Sequence, residues 1–328
     1  MILVAKKFRG NIIDNFHIGY AVALNDNNEI IFTAGESEYP VFIQSAGSPF
    51  QAAVLLESGA IDKFKLDDED IAITCSSHNG EVYQTEAVSS LLKKIGASVD
   101  DLLCGVHPPH DKTSYEQLIL QGRRPTALHN SSSGIHAGML AIAKALDVTT
   151  DGYTGIEHPV QQRILEKIKH YAEKDKIPVE MDDSNAPTYF LPIITLAMMY
   201  RKLAAGADDD LQKIFHVMNL HPKHLAGKGR FDSDFITALH GKGVSRYGYE
   251  GVRGIGIRTE TGHTGIALKV LSGDWKAADS MAVAIMKHLK LLDEETLEKL
   301  GKYESTIIRS FTEKPTGHIR TEIVIDEK

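Results

Sequence analysis

Strand-forming segments stand at the two ends of this 328-residue chain, and helical patterns fill the middle. That distribution constrains the fold more than any other feature. His17 to Leu24 is rich in strand formers. Asn25-Asp26-Asn27-Asn28 breaks it and Glu29 to Thr33 resumes, the pattern of a β-hairpin with a polar turn. Toward the other end, Gly254 to Arg258 and Gly265 to Val270 flank Thr259 to Thr264, which predicts a hairpin with glycine turns. His318 to Ile325 reads as a last strand. Between the ends, helices are predicted over Pro49–Ser58, Glu81–Lys94, Ile135–Leu146, Pro159–Lys174, an apolar stretch ending near Leu203, and Asp208–Leu220, with Trp275–Leu292 following later. Ile71 to Thr74 is expected as a short apolar strand, and Cys104–Lys112 and Asp182–Pro187 as loops. The economical fold is mixed, α+β. An antiparallel sheet formed from N- and C-terminal strands is covered by helices, with a helical lobe inserted. One domain is expected over 1–328, its sheet lobe from roughly 1–45 and 245–328 and its helical lobe from roughly 46–244.

Size and charge exclude several classes. A chain of this length buries a large core without disulfides or metal. No apolar run approaches the length of a membrane span. The net charge is -8 and no basic block stands out, so neither a membrane nor a nucleic acid is an expected partner. The N-terminus places its apolar residues before Lys6, Lys7 and Arg9, the reverse of a secretory signal. Cys75 and Cys104 make no disulfide framework, and a reducing cytoplasm is expected.

Four short polar loops share a character. Gln44–Ser48, Cys75–Gly80, His129–Gly134 and Asp182–Ala186 each lie just before a predicted helix. Helix N-termini offer unpaired N–H groups and a positive dipole end, which suit carboxylates and developing oxyanions. Each loop read singly is an ordinary cap. Converged, they would line a pocket for a small molecule bearing a carboxylate and an amide. Serine attacks only when a base takes its proton. His78 and His129 are candidate bases. Three residues after Ser45 stands Ser48, which cannot act as one.

Other motifs carry less. Cys104, His107 and His110 have spacing compatible with metal ligands, but no fourth partner is evident and Pro108-Pro109 stiffens the segment, so a structural loop is expected. Gly227–Arg230 lacks the spacing of a phosphate-binding loop.

Taken in order, Ser45 to Gln51, Ser77-His78-Asn79-Gly80-Glu81, Cys104-Gly105-Val106-His107-Pro108-Pro109, His129-Asn130, Ser133-Gly134, His136-Ala137-Gly138-Met139, Pro187-Thr188 and Gly229-Arg230-Phe231-Asp232 resemble the L-asparaginase II family of the thermolabile, rhizobial type. The resemblance spans nearly the whole chain. It implies a fold similar to serine β-lactamases and penicillin-binding proteins, hydrolysis of L-asparagine to aspartate and ammonia, and a homodimer. It also implies two serine–lysine pairs. Ser45 and Ser77 match the serines, but the lysine positions read Ser48 and Arg246, and arginine stays protonated at neutral pH. The family's zinc ligands fall at Ser132, Ile135, Asp182 and Ser184, where only the aspartate is a conventional ligand.

The expectation is therefore an asparaginase-like amidohydrolase of weak or altered activity toward a small linear amide, without cofactor or metal. Ser45, Ser48, Ser77 and Arg246 are its candidate catalytic residues. His78, Asn79, His129, Asn130, Ser132, Gly134 and Asp182 are candidates for substrate contact. The alternative is a non-catalytic protein that binds an asparagine- or aspartate-like ligand. Acyl transfer on another amide is a third reading, suggested by fold alone.

Overall fold

The structure is a computed structural model that describes residues 1–324. In chain order its strands and helices begin with β1 (Ile2–Arg9), β2 (Ile12–Leu24), β3 (Ile30–Ala34), β4 (Pro40–Phe42), α1 (Ser48–Glu57), α2 (Ala60–Phe64), α3 (Asp68–Thr74) and α4 (Val82–Lys94). Next come α5 (Lys112–Leu120), α6 (Ser133–Ala145), α7 (Pro159–Ala172), β5 (Val179–Met181), β6 (Pro187–Pro192), α8 (Ile193–Ala205), α9 (Asp209–Leu220), α10 (Pro222–Leu225) and α11 (Phe231–Ala238). The chain closes with β7 (Gly243–Gly248), β8 (Val252–Thr259), β9 (Gly262–Val270), α12 (Trp275–His288), α13 (Glu294–Glu304), β10 (Ser305–Arg309) and β11 (Pro315–Val324). The predicted last strand is present, although its final residue, Ile325, lies outside the described residues.

The chain divides into two compact units. The first comprises 1–43, 191–205 and 234–328; the second comprises 44–190 and 206–233.

The first unit is built on an antiparallel sheet of eight strands among the described residues. Seven follow the order β10-β11-β1-β2-β9-β8-β7, and β3 pairs with β2. Strands from both ends of the chain thus share one sheet, and the fold is α+β as expected. The β2–β3 hairpin forms where the asparagine-rich turn marks it. Asn25 accepts from the backbone of Asn27 and Glu29 through its side-chain oxygen, which fixes the turn. The turn of the later hairpin is Glu260-Thr261, between β8 and β9, and carries no glycine. Gly254, Gly256 and Gly265 lie inside the strands instead, beneath α8. A Cβ on Gly254 would fall 2.0 Å from the Tyr200 ring, and one on Gly265 2.0 Å from the Ala197 carbonyl. These glycines let a helix approach the sheet closely rather than turn the chain. On the opposite face α12 packs against β1, β2, β9, β10 and β11. There Arg253 donates to Asp279 and to Ser245 Oγ, so a buried guanidinium and a buried carboxylate satisfy each other.

The second unit is helical around α1, which packs on α3, α6, α7 and α9. Every residue from Ser48 to Leu55 is buried. The strand predicted over Ile71–Thr74 is instead the end of α3. Asp67 caps that helix, accepting from the Glu69 and Asp70 backbone, while Asp70 reaches back to the Asp67 N–H. The apolar run is then a buried helical turn. A run so short has no period of its own to separate strand from helix.

Candidate active site

The segment around Ser45 is a turn of 3₁₀ helix, Gln44–Gly47, running directly into α1. Neither Ser45 nor Ser48 is a cap. The N-cap position of α1 is Gly47, with no side-chain capping bond, and Pro49 sits in the first turn where its missing N–H costs nothing. Ser45 is buried, and its hydroxyl accepts a 2.8 Å hydrogen bond from Ser77 Oγ. Ser48 is fully buried, and its hydroxyl donates to the Cys75 carbonyl at 2.8 Å. The Ser48 proton is therefore committed to the backbone at the end of α3, and the residue ties α1 to the loop that carries Ser77.

Gln44, immediately before Ser45, has φ +44°, a left-handed conformation that a side chain tolerates poorly. Its N–H is held by Thr188 Oγ1 at 2.9 Å. A strained residue beside a candidate nucleophile, fixed by a partner far along the chain, is the pattern of a preorganised site.

Ser77 is set by its own backbone. Its N–H donates to the Leu225 carbonyl at 2.8 Å, and the next N–H, of His78, donates to the Ser131 carbonyl at 3.0 Å. The His78 ring is fully buried. Its Nδ1 accepts from the Gly80 N–H at 3.0 Å, which places the proton on Nε2, 2.8 Å from Ser133 Oγ. Ser133 Oγ in turn donates to the Leu128 carbonyl at 3.0 Å. Both ring nitrogens are spent on holding the Ser77 loop to the start of α6.

Asn79 and Glu81 extend the same strip. The Asn79 amide faces the Lys228 carbonyl and Arg230 Nη1, each at 3.4 Å. Glu81 Oε2 accepts from the Lys228 N–H at 2.9 Å and from Tyr83 Oη at 3.0 Å. A Cβ on Gly227 would fall 2.4 Å from Glu81 Oε2 and 2.7 Å from Asn79 Nδ2, so only glycine lets this loop seat so closely.

The third loop is stitched to the second. Asn130 donates to the Cys104 carbonyl at 2.7 Å and accepts from the Ser132 N–H at 2.8 Å. Gly134 is buried under α3, where a Cβ would meet the Ile73 carbonyl at 2.1 Å. His129 is placed differently. Its Nδ1 accepts from the Thr126 N–H at 3.0 Å. Its ring lines a cavity of about 320 Å³ with Val82, Glu86, Ser114 and Arg123, a lining that includes neither Ser45 nor Ser77. Burial first, then the neighbouring Arg123 and His107, hold His129 below the usual imidazole range despite the Thr126 bond. His136 is wholly interior. Its Nδ1 is hydrogen-bonded to Tyr153 Oη at 2.8 Å, and burial pulls the ring down to about 4.

The fourth loop leads into the strand β6 and not, as expected, into a helix, because α8 begins only at Ile193; Asp182 closes the loop on itself. Its Oδ1 accepts from the Ser184 N–H at 2.9 Å, Ser184 Oγ at 2.7 Å and the Ala186 N–H at 3.1 Å. Burial raises its carboxyl above the ordinary value against the pull of these bonds. The residues at the implied zinc positions do not fit that ion. Ser132 and Ser184 offer neutral hydroxyls, Ile135 is an aliphatic buried side chain, and Asp182, whose Oδ1 already accepts from three donors, is left as the one conventional ligand. Among the described residues no group of three or more His, Cys, Asp or Glu side chains is placed to hold a metal ion. At Cys104, burial pushes the thiol up to about 12, and His107 uses Nδ1 on the Pro108 carbonyl and Nε2 on the Ser131 N–H.

Arg246 is fully buried on β7 of the first unit, opposite Gly254 in the register and so on the face that carries α8. Within the second unit, the first three loops are joined through Ser45–Ser77, Ser48–Cys75, His78–Ser131 and His78–Ser133. Nothing in the sequence marks Leu225 as the anchor of Ser77 or Thr188 as the anchor of Gln44. The first is a backbone carbonyl with no side-chain signature. The second was visible only as part of a motif.

The model of the family described as L-asparaginase II matches residues 5–321. The chain belongs to that family, and membership supports an amidohydrolase-like role. Comparison with curated proteins finds none that matches. Among solved structures, the chain is similar to a β-lactamase from Sphaerobacter thermophilus DSM 20745, at 11% identity over 84% of this chain and 92% of that one, with a TM-score of 0.43. It is also similar to a simvastatin synthase (LovD) mutant from Aspergillus terreus, at 10% identity over 87% and 92%, with a TM-score of 0.43. A penicillin binding protein from Bacillus halodurans matches at 11% identity over 87% and 96%, with a TM-score of 0.36. At these identities and scores the likenesses say nothing about the site. No helix among the described residues is long and apolar enough to cross a membrane.

Proposed function

We propose that this protein is an asparaginase-like amidohydrolase acting on a small linear amide, with the Ser45–Ser77 hydroxyl pair at its reacting centre. The observation that carries this reading is the 2.8 Å bond from Ser77 Oγ to Ser45 Oγ, in a chain of the L-asparaginase II family. In this reading Ser45 attacks the amide carbon. The Ser77 hydroxyl, already donating to Ser45 Oγ, holds that oxygen in line, and the proton lost from Ser45 passes to the amide nitrogen as its C–N bond breaks. The amide nitrogen leaves as ammonia, and water releases the acid. The pair joins a hydroxyl to a hydroxyl and not to a base, and Ser48 and His78 are bonded elsewhere. A missing general base costs ~10²–10⁴-fold in rate, so turnover is slow by the standard of the family. Two buried cysteines outside any disulfide, Cys75 and Cys104, support a reducing, cytoplasmic setting, and the family resemblance supports a homodimer.

The same commitment of His78 and Ser48 favours a second reading, a protein that binds an asparagine- or aspartate-like ligand without cleaving it. Two measurements on one preparation separate them. Ammonia release is followed with L-asparagine, L-glutamine and a panel of small amides, and heat of binding is followed with L-aspartate. Ammonia from any of the amides supports the hydrolase. Binding with no ammonia supports the second reading, and neither signal from folded protein overturns both.

A further inference from the structure

The cavity of about 320 Å³ that His129 lines is walled by two helices of the second unit. α4 contributes Val82, Thr85, Glu86 and Ser89, at i, i+3, i+4 and i+7, a single face of the helix. α5 and its C-cap contribute Ser114, Gln117, Leu118 and Gln121 at the same spacing. This is not the core face of α4. Its buried residues, Gln84, Ala87, Val88, Leu91 and Leu92, lie on the other side, where the helix packs on α3 and α6. Two helices therefore turn mostly polar faces toward one concave space.

Two buried side chains on that lining carry hydrogen-bonding capacity that the protein does not use. His129 is 7% exposed and Ser114 8%. The Thr126 N–H holds Nδ1 of His129, so the ring proton sits on Nε2, and that Nε2–H has no acceptor among the described residues. Ser114 is bonded through its N–H to Asp111, and its hydroxyl has no partner among them either. Buried polar groups are normally satisfied, and a polar ligand in the cavity would satisfy both. The same lining carries charge of both signs. Glu86 and Arg123 are exposed, and neither has an ion-pair partner among the described residues. Arg123 Nη1 reaches only the Gln121 side-chain oxygen, at a long 3.4 Å.

We propose that this cavity is a second binding site, for a free α-amino acid with an uncharged side chain. The ligand carboxylate accepts from Arg123 and from the His129 Nε2–H, and its ammonium donates to Glu86. Charge selects a zwitterion as the occupant. A simple anion would meet Glu86 and a simple cation would meet Arg123, each with nothing on the ligand to answer it. With those groups engaged, the rest of the lining is neutral: hydroxyls of Ser89 and Ser114, amides of Gln117 and Gln121, and the aliphatic Val82 and Leu118. A charged ligand side chain would find no counter-charge there. The volume stands at the small end of ligand pockets, as a single amino acid requires. The lining includes neither Ser45 nor Ser77, and the proposal holds whether or not those hydroxyls hydrolyse an amide.

Titration calorimetry on the full chain tests this with L-serine, which has no side-chain amide to hydrolyse. L-Serine is expected to bind the wild type. Arg123→Gln and Glu86→Gln, both surface substitutions, are each expected to raise its dissociation constant roughly 10-fold or more. Arg124→Gln, next in the chain but outside the lining, should leave it unchanged. Ammonia release from L-asparagine, and any heat of L-aspartate binding at the Ser45–Ser77 centre, should survive all three substitutions, so the two sites fail separately. No L-serine binding by the wild type overturns the proposal. So does an affinity indifferent to both Arg123→Gln and Glu86→Gln, or a loss of L-serine and L-aspartate binding together.

Discussion

Ser77 donates its hydroxyl hydrogen to Ser45 across a 2.8 Å contact that spans 32 positions of the chain. The segments on both sides of that contact are tied to backbone groups. Leu225 holds the N–H of Ser77, Thr188 holds that of Gln44, and Ser48 ties the two segments together through the Cys75 carbonyl. The arrangement is rigid where the chemistry is proposed, and it was built with hydroxyls and amides in place of charged bases.

Thr188 should be worth more than its size suggests. Thr188→Val leaves the Gln44 N–H without its acceptor and is expected to cost about 1–3 kcal/mol in chemical denaturation, while Thr188→Ser keeps the bond and most of the stability. Gln44→Gly removes the penalty of a positive φ and should be neutral or stabilising by up to about 1 kcal/mol. Equal melting of Thr188→Val and Thr188→Ser would show that the bond does not hold the turn.

Acid should destabilise the fold through His136. The ring ionises ordinarily near 6.5 when unfolded but is held to about 4 when buried. Between those values the unfolded chain binds a proton that the native chain refuses. Stability is therefore fully present above pH 6.5 and is lost as pH falls toward 4, at up to about 1.4 kcal/mol per pH unit from this group. His129 is lowered as well and adds to the same slope. His136→Gln should flatten the dependence of unfolding free energy on pH through this window. A slope identical to wild type would mean that His136 is not the group responsible.

The Asp182 loop should be indifferent to zinc. Three hydrogen bonds to Oδ1 close it without a metal. Prolonged chelation, and zinc added afterwards, should leave the melting temperature where it was. Asp182→Ala should lower stability by about 1–3 kcal/mol, and Asp182→Asn, which keeps an acceptor oxygen, by less. A melting temperature that falls on chelation and returns with zinc would contradict this.

The outline of the fold was readable because its signals are local. The asparagine turn between β2 and β3, Pro49 in the first turn of α1 and the amphipathic pattern of α7 each sit within a few residues of what they determine. What misled was non-local. Gly254 and Gly265 look like turn glycines, yet their cause is α8, whose Tyr200 and Ala197 touch them from some fifty residues or more away. Ile71–Thr74 looks like a strand because the apolar run hides a capping box beginning at Asp67. In the site, the serines were legible through their motifs. The capping role offered for Ser45 and Ser48 was not found, because the bonds that occupy them come from the Ser77 loop. His78 reads as a base in the sequence, while in the fold its ring is bonded to the Gly80 N–H and to Ser133 Oγ. Nothing beside it in sequence announces Ser133 as the partner that takes its Nε2 proton.

The reacting pair is tested most directly by ammonia release from saturating L-asparagine, measured for wild type, Ser45→Ala and Ser77→Ala at matched folded concentration. The expected result is slow but measurable release by the wild type. Each substitution should lower it ~10²-fold or more while costing only about 1 kcal/mol of stability. Release that persists unchanged in Ser45→Ala and in Ser77→Ala would contradict the assignment of these two hydroxyls.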